Sequence, residues 1–397
     1  MPIAKGIRDA LGASSMIRKM FEEGAVLKKL HGADNVFDFS LGNPDIPPPA
    51  TFRAVLEKFA RDADKGLHGY TSNAGLPHVR EALARKASRE QRVPLDASHI
   101  VMSSGAAGGL NAVFKTICNP GDEIIVSRPY FVEYRPYAAN QGARLVEVES
   151  LPDFNLDIDA IAAALSPGTA AVLINSPNNP TGKIYPAATL AALAGLLRDH
   201  GERTSRMPYL VSDEPYREIA YGVEVPSVLA AYTESIVVYS YSKSLSLPGE
   251  RIGYIAVNPG IMDGAELTDG LTYATRVLGF VNAPALMQRA VAELTDAVVD
   301  VDVYDRRRAA FMSVLDGAGI EYVVPEGAFY MFCKVPPREP DIPDDLAFVN
   351  HLKRHLILGV PGSGFGRPGW LRFAFCVDEK IIRNSAAAFG KAMETWR

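Results

Sequence analysis

Apolar and polar positions along the chain alternate between two periods. Residues 76–91 (LPHVREALARKASREQ) and 106–117 (AAGGLNAVFKTI) carry helical spacing, and a third helical stretch lies near 187–200. Between and after them run short apolar segments at 123–127, 170–175, 209–212, 236–240 and 252–257. Short apolar runs alternating with helices predict parallel strands covered on both faces. The ends of the chain read differently. Residues 1–41 predict one helix and a short strand before GNPDIPPP, whose prolines cannot continue a helix. Residues 284–318 are helix-rich, and the tail alternates strands (GAFYMFCKV, WLRFAFCV) with helices (DLAFVNHLKRH, EKIIRNSAAAFGKAMETW). The expected fold is therefore α/β. A large domain, 45–285, holds a mostly parallel central sheet covered by helices, and a smaller α+β domain is built from both termini, 1–44 and 286–397.

One uncharged stretch, 160–182, invites a membrane reading. Pro167-Gly168 and Pro177 break it short of the roughly 20 residues that a bilayer span needs, so it reads as helix, turn and buried strand. The remaining composition narrows the class. With 48% hydrophobic and 22% charged residues, the chain has ample side chain to bury and is not disordered. Its 41 basic and 46 acidic residues give a net charge of −5 without like-charge blocks, which argues against a nucleic-acid binder. Cys118, Cys333 and Cys376 are dispersed, with no CxxC pair, as expected of packing thiols in a reducing cytoplasm. The charged N-terminal segment lacks the apolar core of a signal peptide. His351 and His355, without HExxH or a third clustered ligand, read as a solvated helix face, and no metal is expected. Met16, Ile17 and Phe21 read as helix packing.

The candidate chemistry sits in four segments. SYSKSLSLPGERIGY at 240–254 places Lys243 just past a strand, with Arg251 close behind; a lysine desolvated at such a position can form Schiff bases. SDEPY puts Asp213 and Tyr216 past another strand, and SPNNPTG puts Asn179 past a third. Asp213-Glu214 is not a carboxylate pair, because adjacent strand residues face opposite ways. SSGAAGGLNAVF leads into a helix whose first amides are unpaired, a ready anion site. It does not fit GxGxxG, and no acidic residue follows at the dinucleotide-binding spacing. In an open parallel sheet all four segments would gather at the carboxyl ends of the strands. A lysine for an aldehyde, an acid for a ring nitrogen and an anion site for a phosphate together match pyridoxal 5′-phosphate.

In these segments the chain resembles the class I/II aminotransferases of fold type I. The stretch from Ser240 to Gly253 fits that family's lysine-attachment pattern, and NNPTG, DEPY, PEGAFY (325–330) and VPGSGFG (360–366) follow in family order. The resemblance implies roles residue by residue. Lys243 would hold the cofactor as a Schiff base and, once displaced by substrate, move the proton from Cα. Asp213 would keep the ring nitrogen protonated. Asn179 and Tyr216 would hydrogen-bond the ring's 3-oxygen, and Phe131 would stack on the ring. Phosphate contacts would come from the amides of Gly105, Ala106 and Ala107, from Ser240, Ser242 and Arg251, and from Tyr70 of a partner subunit. Arg372 would clamp the substrate α-carboxylate, with Asn179 and Gly42 beside it, the glycine leaving room for the ligand.

The resemblance thus implies a cytoplasmic, homodimeric aminotransferase moving an amino group from an L-amino acid to a 2-oxo acid by a ping-pong mechanism. A β-lyase or decarboxylase on the same scaffold is the enzymatic alternative. A non-catalytic sensor would need an attached helix-turn-helix, and the sequence offers no residues for one. Arg276, in YATRVLGFVNAP, lies in the region where one family branch supplies a reader of a distal substrate carboxylate from the partner chain, although the apolar residues around it depart from that branch's pattern. Fold analogy does not choose the substrate.

Overall fold

A computed structural model describes residues 3–4, 7–8, 16–61, 66–337 and 344–396, with only the backbone at 16–19 and 21. The expected packing roles of Met16, Ile17 and Phe21 therefore lie outside the described side chains. After a first short strand, β1 (Phe37–Asp38), the chain builds a seven-stranded sheet. Its strands are β2 (Ile100–Ser103), β3 (Glu123–Arg128), β4 (Arg144–Glu149), β5 (Thr169–Asn175), β6 (Tyr209–Asp213), β7 (Ser235–Ser240) and β8 (Gly253–Val257). The spatial order is β2-β8-β7-β6-β5-β3-β4.

Strands β4, β3, β5, β6 and β7 pair in parallel, as the alternation of runs and helices predicts. The run at 252–257 departs from that expectation: β8 is antiparallel to both β7 and β2. The link after β7 is spent on the one-turn helix Tyr241–Ser244 and the turn at Pro248–Glu250, so no crossover carries the chain back along the sheet. Ser240 and Gly253 face each other across the pair, and Gly253 also pairs Ser103. Strands β2 and β4 were not anticipated. The first is four residues, all buried; the second, RLVEVE, alternates polar and apolar residues, is mostly not buried and forms the sheet's edge.

Alternate side chains leave β7 toward two separate cores, as a pleated strand dictates. Ile236 and Val238 join Val113, Phe114, Leu173 and Val211, while Val237 and Tyr239 join Leu83, Val172, Leu197 and Leu210. A third core draws on both ends of the chain, bringing Phe39 against Phe311, Phe373 and Phe389. It underlies an antiparallel sheet of β9 (Tyr322–Val323), β10 (Tyr330–Lys334), β12 (Val360–Pro361) and β13 (Trp370–Ala374). Nearby, β11 (Ile357–Leu358) pairs in parallel with β1.

Two expectations for the tail are corrected. The helix over 379–396 is broken at Ser385, whose buried hydroxyl donates to the Ile382 carbonyl at 2.6 Å and competes with the helix ladder. His351 is buried rather than solvated: its Nε2 lies 2.8 Å from the Ala392 carbonyl and its ring meets Trp396. Among the described residues no helix is long and apolar enough to cross a membrane.

Candidate active site

The parallel strands end on one edge of the sheet, where Ser103, Asn175, Asp213 and Ser240 finish β2, β5, β6 and β7. A cavity of about 520 Å³ opens there. It is lined by Gly42, Ala106, Ala107, Phe131, Asn179, Asp213, Tyr216, Ser240, Ser242, Lys243, Arg251 and Arg372, so twelve residues singled out from sequence converge on one space.

Lys243 sits in the one-turn helix after β7, whose start is capped by the Ser240 hydroxyl. Its Nζ donates to the Gly42 carbonyl at 2.7 Å. Burial lowers its pKa to about 8, with the positive charges of Arg372 and Arg251 adding to the effect. The amine can therefore shed its proton near neutral pH, which a nucleophile or base requires.

Asp213 is buried at the end of β6. Its Oδ2 accepts from the Tyr134 hydroxyl at 2.7 Å, while Oδ1 is buried with no hydrogen-bond partner among the described residues. Burial drives its pKa up to about 7 against the lowering effect of that one bond. A buried carboxylate oxygen without a donor is costly in a native fold, and a protonated ring nitrogen would satisfy it. Asn175 holds the neighbouring backbone, donating to the Asp213 carbonyl and accepting from the Asn179 amide, both at 2.7 Å.

Arg372 reaches the cavity from β13 and is 2% exposed. It donates to Asn179 Oδ1 at 3.0 Å and to the Ser40 carbonyl at 2.7 Å, and its guanidinium stacks between the rings of Tyr330 and Phe365. No carboxylate pairs with it among the described residues, and Nε has no partner. A buried guanidinium without an acid is held at a cost unless an anion completes it.

The helix Gly105–Ile117 begins at the same edge with Ser104 making no side-chain cap, so its leading amides stay open. Gly105 has φ +70°, and a Cβ there would lie 2.8 Å from Arg251 Nη2. The positive φ favours glycine here, and its bare Cα leaves the Arg251 guanidinium close against the helix start. The Ser240 and Ser242 hydroxyls meet at 2.7 Å beside it.

One reading needs adjustment, and two residues stand outside this chain's own cavity. The space beside Gly42 is taken by protein: a Cβ there would stand 2.1 Å from the Tyr330 hydroxyl. Tyr70 is 93% exposed and does not line this chain's cavity. Arg276 is exposed, stacked on Tyr273, and likewise outside the cavity. Sequence reasoning missed Tyr134, Asn175 and Tyr330. Each stood within or beside a segment already singled out, three residues after Phe131, just before SPNNPTG and at the end of PEGAFY.

The chain matches the family described as aminotransferase class I and II over residues 34–389. It is 31% identical over 359 residues to an aspartate/prephenate aminotransferase of Thermus thermophilus, covering 89% of each chain. It is 30% identical over 360 residues to an aspartate aminotransferase of Thermotoga maritima, again covering 89% of each. Among solved structures, an aminotransferase from Eubacterium rectale superposes over 100% of both chains with a TM-score of 0.95 and 38% identity. The Thermus thermophilus aspartate aminotransferase with maleate gives a TM-score of 0.85 at 28% identity, covering 96% of this chain and 97% of the other. The cavity geometry and the full-length match agree: this chain belongs to the class I and II aminotransferase family and is an aminotransferase.

Proposed function

We propose that the cavity binds pyridoxal 5′-phosphate at Lys243 and exchanges an amino group between an L-amino acid and a 2-oxo acid. When bound, that cofactor supplies an aldehyde for the amine and a ring that takes up the electrons of the broken Cα–H bond. The observation that carries the reading is Asp213 Oδ1, a buried acceptor without a donor in the same cavity as an amine of lowered pKa.

The chain's own groups divide the work. Asp213 holds a proton at the ring nitrogen through Oδ1. Asn179 and Tyr216 hydrogen-bond the ring's 3-oxygen, and Phe131 covers one face. Arg251, Ser240, Ser242 and the amides of Gly105, Ala106 and Ala107 hold the phosphate; each charge-assisted contact there contributes roughly 1.5–3 kcal/mol. Arg372 clamps the substrate carboxylate in a dry setting, which fixes the Cα–H bond for removal. Lys243 Nζ would take the Cα proton and deliver it to the carbon that carried the cofactor's aldehyde. Tyr70, exposed on its own chain, reaches the phosphate of a second copy in a homodimer. A role for Arg276 would likewise act across that dimer, and Arg276→Ala with unchanged turnover of aspartate would remove it.

The test is the visible spectrum of the cofactor-loaded protein with single amino acids and no oxo acid. The absorption band is expected to convert to that of the aminated cofactor, with one equivalent of 2-oxo acid formed. Release of ammonia or carbon dioxide with the band unchanged would overturn transamination.

A further inference from the structure

One side chain touches both ends of the proposed substrate site. The Tyr330 hydroxyl lies 2.8 Å from that of Tyr216, and the Tyr330 ring centroid lies 4.5 Å from the Arg372 guanidinium. Its position is fixed by the bare backbone of Gly42, where a Cβ would also come within 2.7 Å of the ring's Cζ. The same glycine's carbonyl receives Lys243. Tyr330 is 2% exposed, and Tyr216 is the hydroxyl's one hydrogen-bond partner among the described residues.

Burial raises both phenols, Tyr330 to about 12 and Tyr216 well above its ordinary value, so both are protonated at neutral pH. Two protonated hydroxyls sharing one hydrogen bond leave one proton over. Whichever hydroxyl donates, the other's proton has no acceptor among the described residues and must turn to the cavity, which both side chains line. If Tyr330 donates, Tyr216 accepts and its own proton is free for the cavity. Accepting a bond also strengthens the one that Tyr216 gives.

We propose that Tyr330 is a positioning residue with two separable parts: its hydroxyl donates to Tyr216 and directs the Tyr216 proton at the cofactor's 3-oxygen, and its ring seats Arg372 for the substrate carboxylate. This rests on the cavity being the pyridoxal phosphate site.

The two parts separate in two variants. Tyr330→Phe keeps the ring and deletes the hydroxyl, whereas Tyr330→Leu deletes both. In the cofactor-loaded protein, Tyr330→Phe is expected to raise the pH midpoint of the visible band by roughly 0.5–1, because a hydrogen bond to the anionic oxygen is weakened. It lowers kcat about 3- to 10-fold, with KM for the amino acid held within about twofold. Tyr330→Leu raises KM as well, by about 5- to 30-fold, the scale of a desolvated cation–π contact. Gly42→Ala, which displaces the hydroxyl without removing it, is expected to move the midpoint the same way. The double variant Tyr216→Phe/Tyr330→Phe matches Tyr216→Phe alone. An unmoved midpoint in Tyr330→Phe, or additive effects in the double variant, would overturn the proposal while leaving the cofactor assignment standing. Failure of the unaltered protein to form a Lys243-dependent band would overturn the cofactor assignment, and this proposal with it.

Discussion

Glu214 accepts from Arg217 at 2.8 Å, Gln91 at 2.9 Å and Ser212 at 2.8 Å, whereas Asp213, the residue before it, accepts from Tyr134 and leaves Oδ1 bare. The contrast extends to the cations of the two clusters, although Glu218 Oε2 in the first is also buried without a hydrogen-bond partner among the described residues. Lys86 lies buried between Glu90 and Glu218, and those carboxylates outweigh its desolvation and raise its pKa. Among the described residues Lys243 has no carboxylate partner and donates to a carbonyl, and burial lowers its pKa. Arg217 bonds Glu214 and the carbonyls of Glu90 and Val225, while Arg372 meets no acid among the described residues. A charge with a full set of partners holds the fold in one arrangement. A charge left incomplete inside a cavity has affinity in reserve for a ligand. The two clusters are joined by Tyr239, whose hydroxyl meets both Glu218 and Ser244, the residue after Lys243.

The contrast breaks if the clusters respond alike to substitution. The largest expected effect is on chemistry: Lys243→Ala should lose roughly 10³-fold or more in turnover, with its thermal midpoint nearly unchanged. Arg217→Met should do the reverse. It strands the Glu214 carboxylate and should cost about 3–5 kcal/mol in urea unfolding, while kcat per folded site stays within a few-fold.

Asp213→Asn sharpens the comparison through pH. The folded pKa of about 7 lies above the usual carboxylate value, so between roughly pH 4 and 7 the folded state binds the extra proton. Stability of the cofactor-free protein should therefore fall across that window as pH rises, and Asp213→Asn should flatten the fall. Lys243 works in the opposite sense. Its folded pKa of about 8 lies below the unfolded value, so stability rises from about pH 8 to 10.5. Urea midpoints measured across both windows check the two signs. The smallest effect belongs to Tyr134→Phe, which removes the one donor to the Asp213 carboxylate among the described residues and should cost about 3- to 10-fold in kcat with little change in KM, read from steady-state kinetics.

The sequence disclosed the site through local signals and missed what only tertiary approach creates. Lys243, Asp213 and Asn179 were legible because each follows an apolar run that ends at the same sheet edge. Arg372 was legible only through family resemblance, since nothing around it in WLRFAF tells a clamp from a salt-bridged strand residue. Tyr330 and Tyr134 carry no such signal; their hydroxyls matter because β10 and the segment after β3 bring them to Tyr216 and Asp213. The room expected beside Gly42 was misplaced for the same reason: a glycine in the sequence does not say what meets its empty side, which here is the Tyr330 hydroxyl. In the fold, β8 read as one more parallel strand because burial on both faces hides strand direction.

The central claim is that Lys243, and not the fully paired Lys86, carries the cofactor. Borohydride reduction of the pyridoxal-phosphate-loaded protein, followed by peptide mass spectrometry, tests it directly. One phosphopyridoxyl group on Lys243, abolished in Lys243→Ala, is the result predicted. Stoichiometric label on Lys86 or any other lysine, with Lys243 unmodified, would contradict the account.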